Sequence, residues 1–584
     1  MKFIPALVLV GLVIAAGLTP TYYAGLATYA AVLALLGLSV NVTLGYLGLI
    51  SFGHAAFFGV GAYAAGLLSV NLGLNYWAAI PIAIIPGVIL GVFVGFASLR
   101  LAGPYFAIAT LATAEIFRLV ALNWVSLTRG PLGIIVPRPR IPAFEAAGLT
   151  FAQYHLIICL IVVAFVLLAL KRLVNSPYGR AWFALRDQPN LAESIGIAGL
   201  KFRILAIALS GGIAALAGAL LVPKILVLSP DLFGLSQSST GLLAAILGGR
   251  GMLLGPVVGG IIFAILPETL RFVDEYRIAI FALILLLVVR LRPEGLLSLL
   301  PVRSPAGNPR GKSDVAIPAS EPKRQTLAIK GLSRSFGGLK AVQDVSFSIT
   351  PGEIVGIIGP NGAGKTTSLS LISGFVSPTS GSVTYGAHQI GGLPPHEIAA
   401  LGLVRTFQHT ALCPGLSAFE NVMIASHLLF KETLFAALFR SGGFVTRERA
   451  RAAWATACLD KVGLSARADE PAGTMAYGEQ RMLSIAVAIA ARPDTLFLDE
   501  PAAGLNHTEA LRLADVLRKL RDEGMTLAVV DHNLRMLMSF CDRLVVLHHG
   551  KKLAEGDPVA VRNMPDVVKA YLGEKRLKKE VAHA

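Results

Sequence analysis

Residues 353 to 367 read Glu353-Ile-Val-Gly-Ile-Ile-Gly359-Pro360-Asn361-Gly362-Ala363-Gly364-Lys365-Thr366-Thr367. An apolar run suited to a strand leads into a glycine-rich loop, and Lys365-Thr366 stands at the start of a stretch suited to a helix. This is the P-loop pattern in its strand–loop–helix setting. Glycines let backbone N–H groups close around phosphate, and the N-terminus of the next helix favours the anion. The stretch implies a site for ATP, with Gly359, Pro360, Asn361, Gly362, Ala363, Gly364, Lys365, Thr366 and Thr367 as its phosphate cradle. Lys365 is placed to reach the β- and γ-phosphates, and the Thr366 hydroxyl to ligate Mg2+.

Downstream, Asp494-Thr-Leu-Phe-Leu-Asp499-Glu500-Pro501 puts two carboxylates at the end of another apolar run. Phosphoryl transfer chiefly needs positioning and charge stabilisation. Asp499 suits the magnesium shell, and Glu500 suits the base that orients an attacking water.

The residues before the loop have a different character. The chain has 584 residues, 15% of them charged, and a mean hydropathy of +0.67. That is too long for one domain and too apolar for a water-soluble globule. The net charge of +16 is spread out: residues 1–300 hold 18 Lys and Arg against 9 Asp and Glu. Many of these cations flank apolar runs, as in cytoplasmic loops. No basic block is interleaved with aromatic residues, which argues against nucleic acid as a partner. The cysteines (Cys159, Cys413, Cys458 and Cys541) are scattered without a CxxC spacing, so neither a disulfide framework nor a zinc site is indicated.

Apolar runs fall near 4–20, 22–47, 50–70, 76–98, 106–124, 154–170, 202–222, 236–247, 252–267 and 276–291. Runs of about 20 residues cross a bilayer as helices. Residues 1–20 also admit a secretory signal with Lys2 as its n-region, although no convincing cleavage site follows. The loop 171–203 carries Lys171, Arg172, Arg180, Arg186, Lys201 and Arg203 against Asp187 and Glu193, so it belongs in the cytoplasm. The ATP site belongs there too, and an even number of spans must separate them. The stretch 236–267 should therefore break at Gly248-Gly249-Arg250-Gly251. The count becomes ten, against which stand Arg129, Arg138 and Arg140 in a nominally external loop.

Within the spans, Gly45-Tyr-Leu-Gly48 and Gly211-Gly212-Ile-Ala-Ala-Leu-Ala-Gly218 predict close helix approach, with a backbone-lined path as the alternative. Glu115 and Arg118, three apart, predict an ion pair facing the bundle interior. His54 reads as a hydrogen-bonded packing residue.

Residues 175–199 predict two short helices broken near Pro189, suited to docking on an ATPase. Here the chain resembles the permeases of ABC importers, most of all the branched-chain amino acid uptake branch. The likeness runs through Leu44-Gly-Tyr-Leu-Gly-Leu-Ile-Ser-Phe-Gly-His-Ala-Ala-Phe-Phe-Gly-Val-Gly-Ala-Tyr63 and Ser176-Pro-Tyr-Gly-Arg180, and covers nearly all of residues 1–300. It implies a coupling helix near 178–199. Residues 301–324, with five prolines and no periodicity, read as a flexible linker.

From residue 325 the chain resembles ABC ATPases. By that resemblance, Phe336 stacks on adenine, Gln408 in Arg405-Thr-Phe-Gln408 is the Q-loop residue serving Mg2+ and catalysis, and His532 is the switch histidine near the γ-phosphate. Asn506 stands where the family commonly has an aspartate. The signature position holds Met475-Ala476-Tyr477-Gly478-Glu479-Gln480, with Ala476 in place of the usual serine. Ala476, Tyr477, Gly478, Glu479 and Gln480 are then the residues that close on nucleotide. The signature, Pro501-Ala-Ala-Gly-Leu-Asn506 and the ending Pro565-Asp-Val-Val-Lys-Ala-Tyr-Leu-Gly573 look typical of the branched-chain amino acid ATPases. A solvated basic tail lies beyond them at 575–579.

These features imply an all-α polytopic membrane domain (1–300), a linker (301–324) and an α/β P-loop ABC ATPase (325–584) with a helical subdomain near 409–485. The resemblance implies an importer subunit for branched-chain or related hydrophobic amino acids, driven by ATP with Mg2+. Its place is the plasma (inner) membrane, in contact with membrane lipid, with the ATPase in the cytoplasm. Its partners are a second permease subunit and a second ATP-binding subunit, or a second copy of itself, and an extracytoplasmic substrate-binding protein. Cargo such as urea, a short amide or a small carboxylate is the alternative. An exporter or lipid flippase needs longer cytoplasmic extensions than these loops provide.

Overall fold

The computed structural model describes residues 4–97, 101, 103–270, 276–292, 294–299, 325–408, 410–429 and 432–572. The expected linker at 301–324 and the basic tail lie outside them. In the first half the apolar runs become helices: α1 (Ile4–Leu18), α2 (Thr21–Asn41), α3 (His54–Leu72), α4 (Tyr76–Ala97), α5 (Pro104–Asn123) and α6 (Phe151–Val174). The short α7 (Pro177–Asp187) and α8 (Pro189–Ser194) come next, then α9 (Gly199–Ile225), α10 (Leu235–Gly248), α11 (Gly255–Thr269) and α12 (Arg277–Leu291). Helices α2 to α6 and α9 are long and apolar enough to cross a membrane. Helices α1, α10, α11 and α12 run 14 or 15 residues each.

The stretch 236–267 does break, between Gly248 and Gly255. Backbone at membrane depth must find protein partners, because hydrocarbon offers none. Asn41 supplies them: its amide N–H donates to Met252 O at 3.0 Å, and its Oδ1 accepts from Gly251 N–H at 2.8 Å. Past Asn41 the helix widens into a π-turn, Val42–Tyr46, where Gly45 O accepts from Arg186 Nη1 at 2.7 Å.

Helix α9 meets α3 backbone to backbone. A Cβ at Gly218 would lie 1.9 Å from Phe58 O, and one at Gly61 2.1 Å from Ala215 O. Only glycine permits that approach, which is what the small-residue runs predict. His54 is fully buried and bonded, its Nε2 2.9 Å from Ser210 Oγ, whose hydroxyl donates to Ser39 O at 2.7 Å. The Glu115–Arg118 pair forms, at 2.7 Å, but does not face the interior. The side chains are 50% and 30% exposed, on the face of α5 turned away from the other helices. The reason is that both faces of α5 are apolar, so spacing sets the pairing and not its direction.

The second half builds two sheets from β1 (Leu327–Phe336), β2 (Leu339–Ile349), β3 (Ile354–Ile358), β4 (Ser380–Tyr385), β5 (His388–Gln389), β6 (Leu403–Arg405), β7 (Thr495–Asp499), β8 (Thr526–Val530), β9 (Arg543–His548) and β10 (Lys551–Gly556). The larger runs β10-β9-β3-β8-β7-β6, parallel except at the β10 edge. Its central strands β3, β8 and β7 are buried at every residue, hence their unbroken apolar sequences. The smaller sheet, β2-β1-β4-β5, is antiparallel. Around them lie α13 (Lys365–Ile372), α14 (Pro395–Ala400), α15 (Ala418–Ala425), α16 (Leu434–Phe439), α17 (Gly442–Val462), α18 (Tyr477–Ala490) and α19 (His507–Asp522). Helices α15, α17 and α18 pack together as a helical layer.

The chain divides into two compact units. One runs to Arg186 and resumes at Leu200; the other holds the two sheets and also takes in Asp187–Gly199. Within that second unit α8 packs on α14, and Gly196, at φ 91°, lies against Leu428.

Candidate nucleotide site

In an open parallel sheet, ligands bind where strand order reverses, beyond the carboxyl ends. Strand β8 lies between β3 and β7, with Val530 opposite both Ile357 and Asp499. Three adjacent strand ends therefore present the 359–365 loop, Asp531-His532 and Asp499-Glu500. On the far side of β7, Arg405 of β6 sits opposite Phe497, and the chain runs on to Gln408. Residues far apart in sequence thus converge on one edge.

The loop has the strained backbone its glycines allow: φ is 152° at Gly359, 79° at Gly362 and 96° at Gly364. A Cβ at Gly359 would lie 2.1 Å from Leu547 O. Lys365 is buried, and its Nζ donates to Gly359 O at 2.7 Å and Pro360 O at 3.0 Å. Burial pushes its pKa down, while the charges of Glu500, Asp499 and Asp531 pull it back up. Thr366 and Thr367 come next in the first turn of α13, with Thr366 exposed.

Asp499 is 2% exposed, and its Oδ2 accepts from Arg405 Nη2 at 2.8 Å. Burial raises its pKa, and Arg405 opposes the shift. Its Oδ1 is buried without a hydrogen-bond partner among the described residues. An oriented carboxylate oxygen with nothing to accept from is what a hard divalent cation takes, so the donor set fits Mg2+. Next to it, Glu500 Oε2 accepts from Gln408 Nε2 at 2.8 Å and lies 3.9 Å from His532 Nδ1. The His532 ring is 60% exposed. Phe336 ends β1 with its ring 45% exposed and the Arg334 guanidinium 4.8 Å from its centre.

The signature residues do not join this cluster. Ala476 caps α18, its N–H donating to Glu479 at 3.2 Å, and the exposed Tyr477 donates to Ala503 O at 3.2 Å. Gly478 faces Glu509. Among the described residues no hydrogen bond or ion pair links Ala476–Gln480 to Gly359–Thr367. Asn506 caps α19, accepting from Glu509 N–H at 2.9 Å.

Two arginines carry roles that their local sequence does not announce. Arg405, besides holding Asp499, donates to Ser370 Oγ at 2.9 Å and Ser373 Oγ at 3.2 Å on α13. It ties the Asp499 carboxylate to the helix after the glycine-rich loop. Arg481 of α18, 3% exposed, donates to Phe407 O at 3.2 Å and to Gln408 O, joining the signature helix to the Q-loop backbone. Both stand beside quoted motifs, which was the available signal; these partners lie 32 to 94 positions away.

Known proteins match both halves. The family described as "Branched-chain amino acid transport system / permease component" matches residues 22–289. That described as "ABC transporter" matches 342–503, and "Branched-chain amino acid ATP-binding cassette transporter" matches 551–576. The high-affinity branched-chain amino acid transport ATP-binding protein BraF of Pseudomonas aeruginosa is 43% identical over 252 residues, 43% of this chain and 99% of that protein. The high-affinity branched-chain amino acid transport system permease protein LivM of Escherichia coli is 31% identical over 293 residues, 47% of this chain and 69% of that protein. A solved nucleotide-free ATP-binding cassette from an ABC transporter is 29% identical, with a TM-score of 0.38 over 43% of this chain and all of that one. The chain belongs to the branched-chain amino acid family of ABC transporters, as a permease fused to an ATP-binding subunit that couples ATP hydrolysis to transport across a membrane.

Proposed function

We propose that this chain imports leucine, isoleucine, valine or related hydrophobic amino acids, receiving them from an extracytoplasmic binding protein. It works in the plasma (inner) membrane beside a second permease and a second ATP-binding subunit, its own ATPase in the cytoplasm and ten spans in the bilayer. The observation that carries this reading is that both halves match components of one kind of transporter.

In the proposed chemistry, Phe336 stacks on adenine and the Gly359–Thr367 loop cradles the phosphates. Lys365 leaves the loop carbonyls for the β- and γ-phosphates. Thr366, Asp499 and Gln408 would hold Mg2+, which would supply positive charge to offset that of the phosphates. Glu500 orients the attacking water and takes its proton, Gln408 keeps that carboxylate in place, and His532 steadies the γ-phosphate. The Ala476–Gln480 segment of a second ATPase closes the site through backbone N–H groups at the start of its helix. Motion passes to the permease through the 178–199 region, for which the packing of α8 on α14 offers support.

Reconstitution with the cognate binding protein and labelled solutes tests the cargo. Leucine uptake that depends on ATP is the expected result. Urea uptake with no competition by leucine would overturn the cargo and leave the machine intact.

A further inference from the structure

Helix α5 has two unlike faces. Phe106, Thr110, Ala114 and Ala121 are buried, while Ile108, Leu111, Glu115, Ile116 and Leu119 form an exposed stripe. Its 20 residues match the roughly 30 Å of a hydrocarbon core. Glu115 lies about 12 Å and Arg118 about 8 Å from its carboxyl end, at about 1.5 Å per residue. Both charges thus sit at membrane depth on an open face. Arg118 Nε reaches Glu115 Oε1 at 3.1 Å and Oε2 at 2.9 Å, and Nη2 reaches Oε1 at 2.7 Å. A guanidinium bound this way is not free to reach toward the headgroups, and the shorter Glu115 has no such escape. Charges at this depth face water or a polar partner, not lipid.

A third charge stands on a turn packed against this helix. The turn Pro230–Phe233 packs against α3 and α5, with the Phe233 ring 5.3 Å from that of Tyr63 and 6.4 Å from that of Phe117. This brings the exposed Asp231 within electrostatic range of Arg118. Two carboxylates and one guanidinium, bordered by Ile116 and Leu119, match a molecule that is itself zwitterionic with an apolar side chain. Its carboxylate would accept from Arg118, and its ammonium would donate to Glu115 and Asp231.

We propose that Glu115, Arg118 and Asp231 form a subsite for a zwitterionic amino acid on a water-filled passage lined by the exposed face of α5. The proposal rests on the amino acid cargo argued above, and supplies a reason for a neutral solute such as urea to pass poorly.

The test uses the assembled transporter in proteoliposomes with its binding protein. All four native cysteines are buried, so a thiol introduced by Ile116→Cys reports through an anionic thiosulfonate that does not cross lipid. Labelling is expected, slowed when leucine is supplied; no labelling means that lipid or a protein partner covers the face, and overturns the subsite. In parallel, Arg118→Gln and Asp231→Asn should lower leucine uptake by about tenfold or more, since each removes a charge-assisted contact. Unchanged uptake in both variants overturns the proposal even if labelling occurs. A wild-type transporter that carries no leucine overturns the cargo and the subsite together; failure of the subsite alone shows in the labelling or in the variants while wild-type leucine uptake persists.

Discussion

Glu500 is a non-glycine residue at φ 46°, in the left-handed region where a side chain is disfavoured. Its N–H donates to Val530 O at 2.7 Å, which extends the β7–β8 ladder one step beyond the strands. The sheet thus holds a strained backbone so that a carboxylate meets Gln408. Strain kept where chemistry happens separates function from stability. Glu500→Gly relieves about 1–2 kcal/mol of left-handed strain and adds back about 0.5–1 kcal/mol of unfolded-chain entropy, so the melting temperature of the assembled transporter should change little. Hydrolysis should nevertheless drop at least about a hundredfold with the base gone. ATPase assays and thermal melts on one preparation check both; wild-type turnover would remove Glu500 from that role. Lys365, Asp499 and Glu500 could be singled out because each belongs to a short local pattern. Arg405 could not, because its meaning lies in a carboxylate 94 positions away.

Helices and strands were legible where composition changes sharply, and less so where neighbours decide. The break at Gly248–Gly251 could be reasoned from charge parity and glycine spacing. The π-turn at Val42–Tyr46 could not, since it depends on Asn41 and Arg186 bonding across the bundle. Arg186 shows the same dependence: its place in a cationic loop does not reveal that its Nη1 donates to Gly45 O, 141 positions away. Close packing gives a sharp prediction. Gly218→Val places a Cβ where Phe58 O already sits, 1.9 Å away, and overpacking of this kind costs about 1–3 kcal/mol or more. Monodisperse protein in detergent should fall steeply, while Gly25→Ala, with nothing within 4 Å, should be silent. A second concerns Leu428, the apolar seat of Gly196. Leu428→Asp puts a carboxyl group there, which even in its neutral form costs about 1–3 kcal/mol when unpaired. Uptake should fall about tenfold while basal ATP hydrolysis changes little, a split read by assaying both in one proteoliposome preparation. Equal loss of the two would mean that the seat serves folding alone.

For the molecule as a whole, the proposed function turns on a separation within this chain. The P-loop lies beyond β3, whereas the signature sits on α18 against Ala503 and Glu509, and among the described residues no hydrogen bond or ion pair joins them. The sequence has one copy of each, so the proposed function has a closed site draw its signature from a second ATPase. Ala476 makes that second ATPase matter. Where a serine hydroxyl would bond the γ-phosphate, this chain has a methyl group, which forgoes about 1.5–3 kcal/mol in the site it closes. Two identical chains would carry that loss at both sites. A partner with its own signature would give two unequal sites, one with the contact and one without. The proposed function extends the same pairing to the membrane, where a second permease would face this one. The active, detergent-solubilised complex should therefore contain one copy of this chain, one different permease and one separate ATP-binding subunit. Native mass measurement decides the matter: a particle holding two copies of this chain and nothing else would establish the homodimer and remove the asymmetry inferred from Ala476.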